Sequence, residues 1–292
     1  KMSIPVRGND IVQCISCGFV YLKERLTKSE MEKYYREVYA VDDPNAASPV
    51  RVPKSIEEIE LKKEYKGALR EALFDEAVKF YGNSIKAKKF IDIGCGWGGL
   101  LLNASRHGMD VMGFELTQPN VEFARKKLGF DVRQEQFDKS DLPENYADII
   151  TMSHVLEHVP EPAEFVEKIY KTLKKDGIFF CVVPNFNSLC SSIEKENWQW
   201  LERDWHYSHF TPKVLKKLLE DKGFTIEKLE TVSGDYGTDA PIKALYSLYP
   251  DLNTPEKLTD ALNKINNAGQ GEEIRIIARK STNGKKKGKN NN

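Results

Sequence analysis

Cysteine is sparse in this chain: five in 292 residues (Cys14, Cys17, Cys95, Cys181 and Cys190), too few and too scattered for a disulfide framework. Long apolar runs are also missing. No window approaches the roughly 20 apolar residues a membrane span needs, and the first residues lack the apolar core of a secretory signal. Nor is there an excess charge of either sign, since 44 Lys plus Arg stand against 44 Asp plus Glu. A dedicated nucleic-acid binder usually shows a basic excess. The expectation is a cytoplasmic globular protein with no membrane or nucleic-acid partner; its oligomeric state has no signature here. Met2 follows Lys1, so nothing is read into where the chain starts.

What is present falls into three regions. Residues 10–21, DIVQCISCGFVY, alternate as a short strand around a C-x-x-C; LTKSEMEKYYREVYA follows as a helix, and 41–53 has the Pro, Asn and Ser density of a linker. A helical apolar pattern covers 55–81, after which strands and helices alternate. KFIDIG, DVMGFE, DVRQEQ, ADIITMS and IFFCVVP read as strands. GLLLNASRHG, QPNVEFARKKLG and PAEFVEKIYKTLKKDG read as helices, the last closed by Gly177. Such alternation predicts a parallel, doubly wound α/β sheet with helices on both faces. Further on come an aromatic-rich stretch, a helix (TPKVLKKLLEDKG) and two strands (FTIEKLETV, EEIRIIARKS). The expected division is an N-terminal element and linker (1–53), a main domain (54–281) and a disordered basic tail (282–292).

The stretch FIDIGCGWGG ends an apolar strand in four glycines, of which Gly94, Gly96 and Gly99 match G-x-G-x-x-G. The turn follows a strand and opens a helix, the context this fingerprint requires. Glycines allow close backbone approach to a ligand, and the helix N-terminus offers free N–H groups. Glu115, 21 residues past Gly94, ends the second strand, where a carboxylate accepts the ribose hydroxyls of an adenosine. NAD and S-adenosylmethionine (SAM) both carry that ribose. Asp92, two residues before the first glycine, suits a ligand bearing an ammonium and a sulfonium and sits badly beside a pyrophosphate.

FIDIGCGWGG, GFELTQPNVEFARKKLG, ADIITMSHVLEHVPEP and LKKDGIFFCVVPN together resemble the successive motifs of class I SAM-dependent methyltransferases, in the branch that includes the ubiquinone-pathway O-methyltransferases. The resemblance covers about residues 55–280 and implies a mostly parallel, seven-stranded Rossmann-like sheet, the seventh strand inserted antiparallel, with 187–210 and 234–271 as insertions on the substrate side. It also implies that Asp92, Gly94 and Gly96 line the methionine end of SAM, that Glu115 holds the ribose, and that Gln136 and Phe137 flank the adenine. Phe137 reads equally well as a core residue, and Cys95 as a small filler.

Methyl transfer from a sulfonium is a direct displacement that depends on alignment, and an alcohol acceptor must also lose a proton, a task suited to histidine. SHVLEHVPEP follows the fourth strand; at i, i+3, i+4, one helical turn would put His154, Glu157 and His158 on one face. Relatives with Glu-x-x-Glu-His here bind a divalent metal. This chain has His154 for the first Glu, which puts that metal in doubt and leaves Glu157 and His158 as weak ligand candidates or as supports of the loop. His154 and His206 are candidate bases. Trp198, Trp200, Trp205 and Tyr207 are candidates for an aromatic wall over the acceptor within reach of His209, or else close the domain's own core. Cys14-x-x-Cys17 reads as half of a zinc ribbon; a structural zinc needs four ligands, and no second C-x-x-C is present. The function expected is SAM-dependent methylation of a small polar acceptor, with O-methylation of a sugar, saccharide unit or other metabolite favoured. The alternatives are an NAD(P)-dependent oxidoreductase and a non-catalytic SAM-binding partner subunit.

Overall fold

The computed structural model describes residues 3–7, 10–24, 27, 29–30, 52–62, 77, 79–201, 205–233 and 254–281. Most of the expected 26–40 helix and of the 41–53 linker, the middle of the 55–81 helix, part of the 234–271 insertion and the 282–292 tail lie outside them.

Apolar runs become the centre of one sheet. Its strands are β4 (Lys89–Ile93), β5 (Asp110–Phe114), β6 (Asp131–Arg133), β7 (Ala147–Ser153), β8 (Leu173–Pro184), β10 (Phe224–Val232) and β11 (Glu273–Lys280), in the order β10-β11-β8-β7-β4-β5-β6. From β8 through β7, β4 and β5 to β6 all pairings are parallel, whereas β11 runs antiparallel to both β8 and β10. The helices Gly99–Arg106, Gln118–Lys126, Pro162–Thr172 and Pro212–Asp221 connect successive strands. Neighbouring residues of one strand serve opposite faces: Ile91, Ile150 and Phe179 enter one core cluster, Phe90, Ile149 and Ile178 the other. From β4 the chain first adds β5 and β6 on one side and then returns to β7 on the other. The crevice at this reversal, outside the carboxyl ends of β4 and β7, is where open α/β sheets bind ligands.

The N-terminal segment differs from the single strand expected. β2 (Ile11–Cys14) and β3 (Val20–Leu22) form a hairpin, and the C-x-x-C is its turn, closed by Gly18 N–H to Cys14 O at 2.9 Å and Cys14 N–H to Phe19 O at 2.9 Å. Gly18 makes the reversal possible by taking a φ of +76°. β1 (Ser3–Arg7) pairs with β2, and β3 pairs with β9 (Ser208–His209), so a four-stranded antiparallel sheet ties the N-terminal segment to the residues around 208. Ile11, Val20 and Leu22 pack with Cys190, Trp198, Leu201 and Tyr207 in a third core cluster.

A second difference is at the helix expected to reach Gly177. It stops at Thr172, and Leu173 already pairs with Ala147 as the start of β8. Asp148, buried at the amino end of the sheet, explains the early stop. Its carboxylate accepts from Lys174 Nζ at 2.5 Å, from the Lys89 backbone N–H at 2.9 Å and from Lys88 Nζ at 3.3 Å, drawing the 173–176 segment onto the sheet edge. Burial alone would raise its pKa; the lysines and the backbone donor outweigh that and hold it below 3.8. A lowered carboxyl pKa stabilises the fold above the ordinary value and loses that contribution as pH falls through the lowered one. Asp148→Asn should therefore cost about 1–3 kcal/mol at neutral pH and flatten the acid limb of stability, as read by urea midpoints across a pH series.

Close packing constrains the glycine strand as well. A Cβ on Gly113 would lie 2.6 Å from Cys95 Sγ and 2.9 Å from Leu101 Cδ1, so Cys95 fills the space behind the turn. Gly113→Ala should destabilise by about 1–3 kcal/mol through overpacking, measurable as a lower urea midpoint.

Candidate functional site

Two half-sites meet over the carboxyl ends of β4, β5 and β7. The first is the glycine turn. Gly94 and Cys95 donate their N–H groups to Phe114 O at 2.8 and 3.1 Å, folding the turn back over β5. Gly94, Gly96 and Gly98 all have positive φ (74°, 53° and 94°), and a Cβ on Gly94 would be 2.4 Å from Val155 Cγ2. Glycine at position 94 is thus required twice, by backbone angle and by the approach of the loop after β7.

Glu115 connects this turn to the next loop. Its Oε2 accepts the Gly96 N–H at 2.8 Å, while Oε1 accepts from the N–H groups of Leu116 and Thr117, both at 2.8 Å, and from Thr117 Oγ1 at 2.9 Å. A carboxylate has about four acceptor sites, so Oε2, with one donor, is the oxygen with capacity left. Asp92 is 5% exposed and accepts from Thr151 Oγ1 on the neighbouring β7 at 2.7 Å, within the crevice itself. Burial, with the carboxylates of Asp92 and Glu115 nearby, pushes the Cys95 thiol well up, so it is a poor nucleophile and a space-filler. Phe137 is buried in the core, edge-on to Phe114 with centroids 5.2 Å apart and tilted against Phe165; Gln136, beside it, is half-buried.

The second half-site follows β7. His154, Glu157 and His158 do not share a helical turn as the spacing suggested. His154 takes a left-handed φ of +54°, and a single 3-10 turn then covers Leu156–His158. For a residue with a side chain this conformation is strained, and three ties hold it: its N–H to Val182 O at 2.9 Å, its Nε2 3.0 Å from Glu273 Oε1, and its Nδ1 3.5 Å from Glu157 Oε1. The imidazole also lies against the Trp200 ring, centroids 5.2 Å apart.

His206 arrives from a different part of the chain. It is 2% exposed, edge-on to His158 with centroids 4.6 Å apart, and its Nδ1 is 2.7 Å from Trp200 O. His209 is next, 6.3 Å from His206 by ring centroid, so four of the chain's five histidines gather here. Burial first, then the neighbouring His158, pushes the His206 pKa down to about 3, which keeps it neutral. Burial likewise lowers His158. Burial works to raise Glu157, but the imidazoles of His154, His158 and His206 outweigh it and hold the carboxyl below its ordinary value.

A metal can be tested against these groups. One donor atom each of Glu157, His158 and His206 lie within 4.8 Å of one another. Glu157 is 1% exposed, and neither of its oxygens, nor His158 Nδ1, has a hydrogen-bond partner among the described residues. The donor set fits a divalent ion. The thiols of Cys14 and Cys17 are free, Cys17 exposed, and no metal cluster including them is found among the described residues.

The expected aromatic wall divides. Trp200 and Trp205 are half-buried beside the histidines, whereas Tyr207 is fully buried in the third core cluster with Trp198, against the N-terminal sheet. Several groups were not foreseen. Glu272, Glu273 and Arg275 are buried on and beside β11; Trp198 Nε1 donates to Glu272 Oε2 at 3.3 Å, and Arg275 Nη2 lies 3.3 Å from Glu273 Oε2. Charged residues inside GEEIRIIARK, an otherwise apolar strand, were the available signal. Arg7 was missed too: its guanidinium donates to Ser191 O and Oγ and to Lys195 O (2.5, 2.8 and 2.7 Å) and sits 4.6 Å over the Phe186 ring, clamping the 186–198 segment to β1.

A family model described as a methyltransferase domain matches residues 65–229, more than half of the chain. The ubiquinone biosynthesis O-methyltransferase of Psychrobacter arcticus is 34% identical over 158 residues, 48% of this chain and 60% of that protein. Its namesake in Actinobacillus pleuropneumoniae is 36% identical over 111 residues, 34% of this chain and 46% of that one. The chain thus spans about half the length of these curated relatives. Among solved structures, phosphoethanolamine N-methyltransferase 2 of Haemonchus contortus, in complex with S-adenosyl-L-methionine, superposes with a TM-score of 0.56 at 15% identity over 90% of this chain and 62% of that one. A SAM-dependent methyltransferase from Archaeoglobus fulgidus gives 0.50 at 22% identity, over 76% and 99%. By matched family and by shared fold, the chain belongs to the class I S-adenosylmethionine-dependent methyltransferases.

Proposed function

We propose that this chain transfers the methyl group of SAM to an oxygen of a small polar acceptor. The observation that carries the reading is the pair of carboxylates around the glycine turn: buried Asp92 in the crevice and Glu115 at the end of β5. An acid at each place complements an adenosyl donor that carries positive charge. Here Asp92, Gly94 and Gly96 take the methionine end, the spare capacity of Glu115 Oε2 takes the ribose, and Gln136 lies beside the adenine. Phe137 acts from behind, fixing the β6 end through the core. Family membership removes the support for an NAD(P)-dependent oxidoreductase.

The acceptor side is polar. His154, Glu272, Glu273 and Arg275 favour a hydroxyl-bearing metabolite, a sugar or saccharide unit among them, with Trp200, Trp205 and His209 as its neighbours. Displacement at the methyl carbon needs the acceptor oxygen, methyl and sulfur in line, and as the oxygen bonds to carbon its proton must leave. His154 is the preferred base. Glu273 and Glu157 bracket its ring and would stabilise the imidazolium formed. His206 is less suited, since its pKa of about 3 leaves little affinity for a proton. A divalent ion, where bound, would supply Lewis acidity to an acceptor oxygen. Among the described residues no helix is long and apolar enough to cross a membrane, which is compatible with the expected cytoplasmic, small-molecule chemistry.

Two measurements test this reading. In titration calorimetry SAM should bind and NADH should not, and Glu115→Ala should weaken SAM by about 1–3 kcal/mol, since the ribose hydroxyls lose a charged partner; unchanged affinity removes Glu115 from the ribose. With an acceptor found by S-adenosylhomocysteine release across a panel of sugars and phenols, His154→Ala should lower kcat by about 10²–10⁴ at unchanged SAM affinity. Full turnover in both His154→Ala and His206→Ala would exclude either as the base, and SAM binding with no turnover on any acceptor would favour the non-catalytic alternative.

A further inference from the structure

We propose that the Cys14–Cys17 pair is a thiol–disulfide exchange site: the exposed Cys17 thiol reacts with a small disulfide of the oxidised-glutathione class, and Cys14 then closes a bridge to it. The proposal goes beyond the methyl-transfer reading and does not rest on it.

Three observations carry it. First, the hairpin turn presents the two sulfurs together. Gly18 N–H to Cys14 O at 2.9 Å, Cys14 N–H to Phe19 O at 2.9 Å and Gln13 Nε2 to Gly18 O at 3.1 Å close the turn. Within it the Cys17 thiol hydrogen-bonds the Cys14 sulfur. Second, Cys14 is prepared as a thiolate. Its Sγ lies 3.1 Å from Ser16 Oγ, and the backbone N–H groups of Cys17 and Ser16 also donate to it. The Ser16 hydroxyl first, then these backbone donors and the Cys17 thiol, bring its pKa down to about 6 against the opposing effect of burial. At neutral pH this sulfur is mostly thiolate, the form that attacks a disulfide.

Third, the pair differs from the other three cysteines and divides the two steps between its members. Cys17 is exposed whereas Cys14 is only 4% exposed, so an incoming disulfide meets Cys17. Lys217, on the helix Pro212–Asp221, has its pKa raised by Asp221 first and by Cys17 among its further neighbours, which places a cation near that sulfur. A neighbouring cation favours the thiolate. Cys95, Cys181 and Cys190 are buried, and burial, reinforced by Asp92, Glu157 and Glu272 respectively, pushes all three thiols up. They stay protonated and enclosed. The exchange itself balances. Cys17, its proton lost to water, attacks one sulfur of the small disulfide and expels one thiolate. The Cys14 thiolate then attacks the Cys17 sulfur of the mixed disulfide and expels the second. Two electrons leave the pair, one S–S bond forms in the protein for the one broken in the reagent, and two small thiols are released.

The test exposes the reduced, chelator-treated full chain to oxidised glutathione, then blocks the remaining thiols and locates bridges by peptide mass spectrometry. The wild type should lose two of its five thiols to a Cys14–Cys17 bridge that retains no glutathione and reopens with dithiothreitol. Cys14→Ser should stop at a stable glutathione adduct on Cys17. Cys17→Ser should react about tenfold more slowly, because Cys14 is enclosed. Ser16→Ala should slow closure of the mixed disulfide without changing the first attack. Cooperative thermal melting of each variant confirms that folded chains are being compared. Survival of all five thiols, a persistent adduct on wild-type Cys17, or a bridge that includes Cys95, Cys181 or Cys190 would each overturn the proposal. So would a Cys17→Ser chain that reacts as fast as the wild type, or zinc held by both sulfurs through chelation. SAM calorimetry on the reduced and bridged protein reports on the methyltransferase reading separately.

Discussion

The site depends on one hydrogen bond across the switch point of the sheet, from Thr151 on β7 to the buried carboxylate of Asp92 on β4. At this point the chain has used up both neighbours of β4, so the loops after β4 and β7 diverge and leave a crevice between them. A carboxylate there is costly to bury. Thr151 supplies one donor to it from the neighbouring strand. The glycine turn is arranged around the same acid: Gly94 must lack a side chain because Val155 of the opposing loop lies where its Cβ would be. The two half-sites are therefore packed against each other and cannot vary independently.

Around the histidine cluster the main feature is long-range assembly. β9 is only two residues long and would not hold a conformation alone. It is held because β3 pairs with it, because Phe19 packs tilted against Phe210, and because Arg7 anchors the preceding segment through three hydrogen bonds to Ser191 and Lys195. Asn185, fully buried after β8, binds the other side of this wall by donating to the carbonyls of Gly269 and Gly271. The N-terminal strands thus take part in building the wall that carries His206 and His209, although more than 180 residues of sequence separate them from it.

Charge placement separates the two halves further. Around the glycine turn the acids Asp92 and Glu115 accept from backbone N–H and hydroxyl groups, which are fixed dipoles and do not titrate. On the loop after β7 Glu157 faces His154, and Glu273 faces both His154 and Arg275, so these acids meet side-chain cations or imidazoles rather than backbone donors. The strained φ of His154 lies between the two, fixed by a backbone bond to Val182 on one side and by two acids on the other. Strain of this kind persists only where the surroundings over-determine it.

The legible part of this protein was local. Strand, turn and helix around Gly94, the acid at Glu115, the run of β7 and the ends of β10 followed from spacing and apolarity, because each is decided by residues within a few positions of one another. The hairpin at Cys14–Cys17 was misread as one strand because alternation continues through a turn that only the αL geometry of Gly18 reveals. The overlong helix before β8 was misread because Asp148, 25 residues earlier than Leu173, captures Lys174. By itself the sequence determined a doubly wound sheet, its glycine turn and the two acids, Asp92 and Glu115, beside that turn. Only the tertiary structure decided that His206 joins Glu157 and His158, that Tyr207 serves the core, and that Glu273 meets His154: these contacts join strands and loops far apart in the chain, and spacing carries no information about which of them meet.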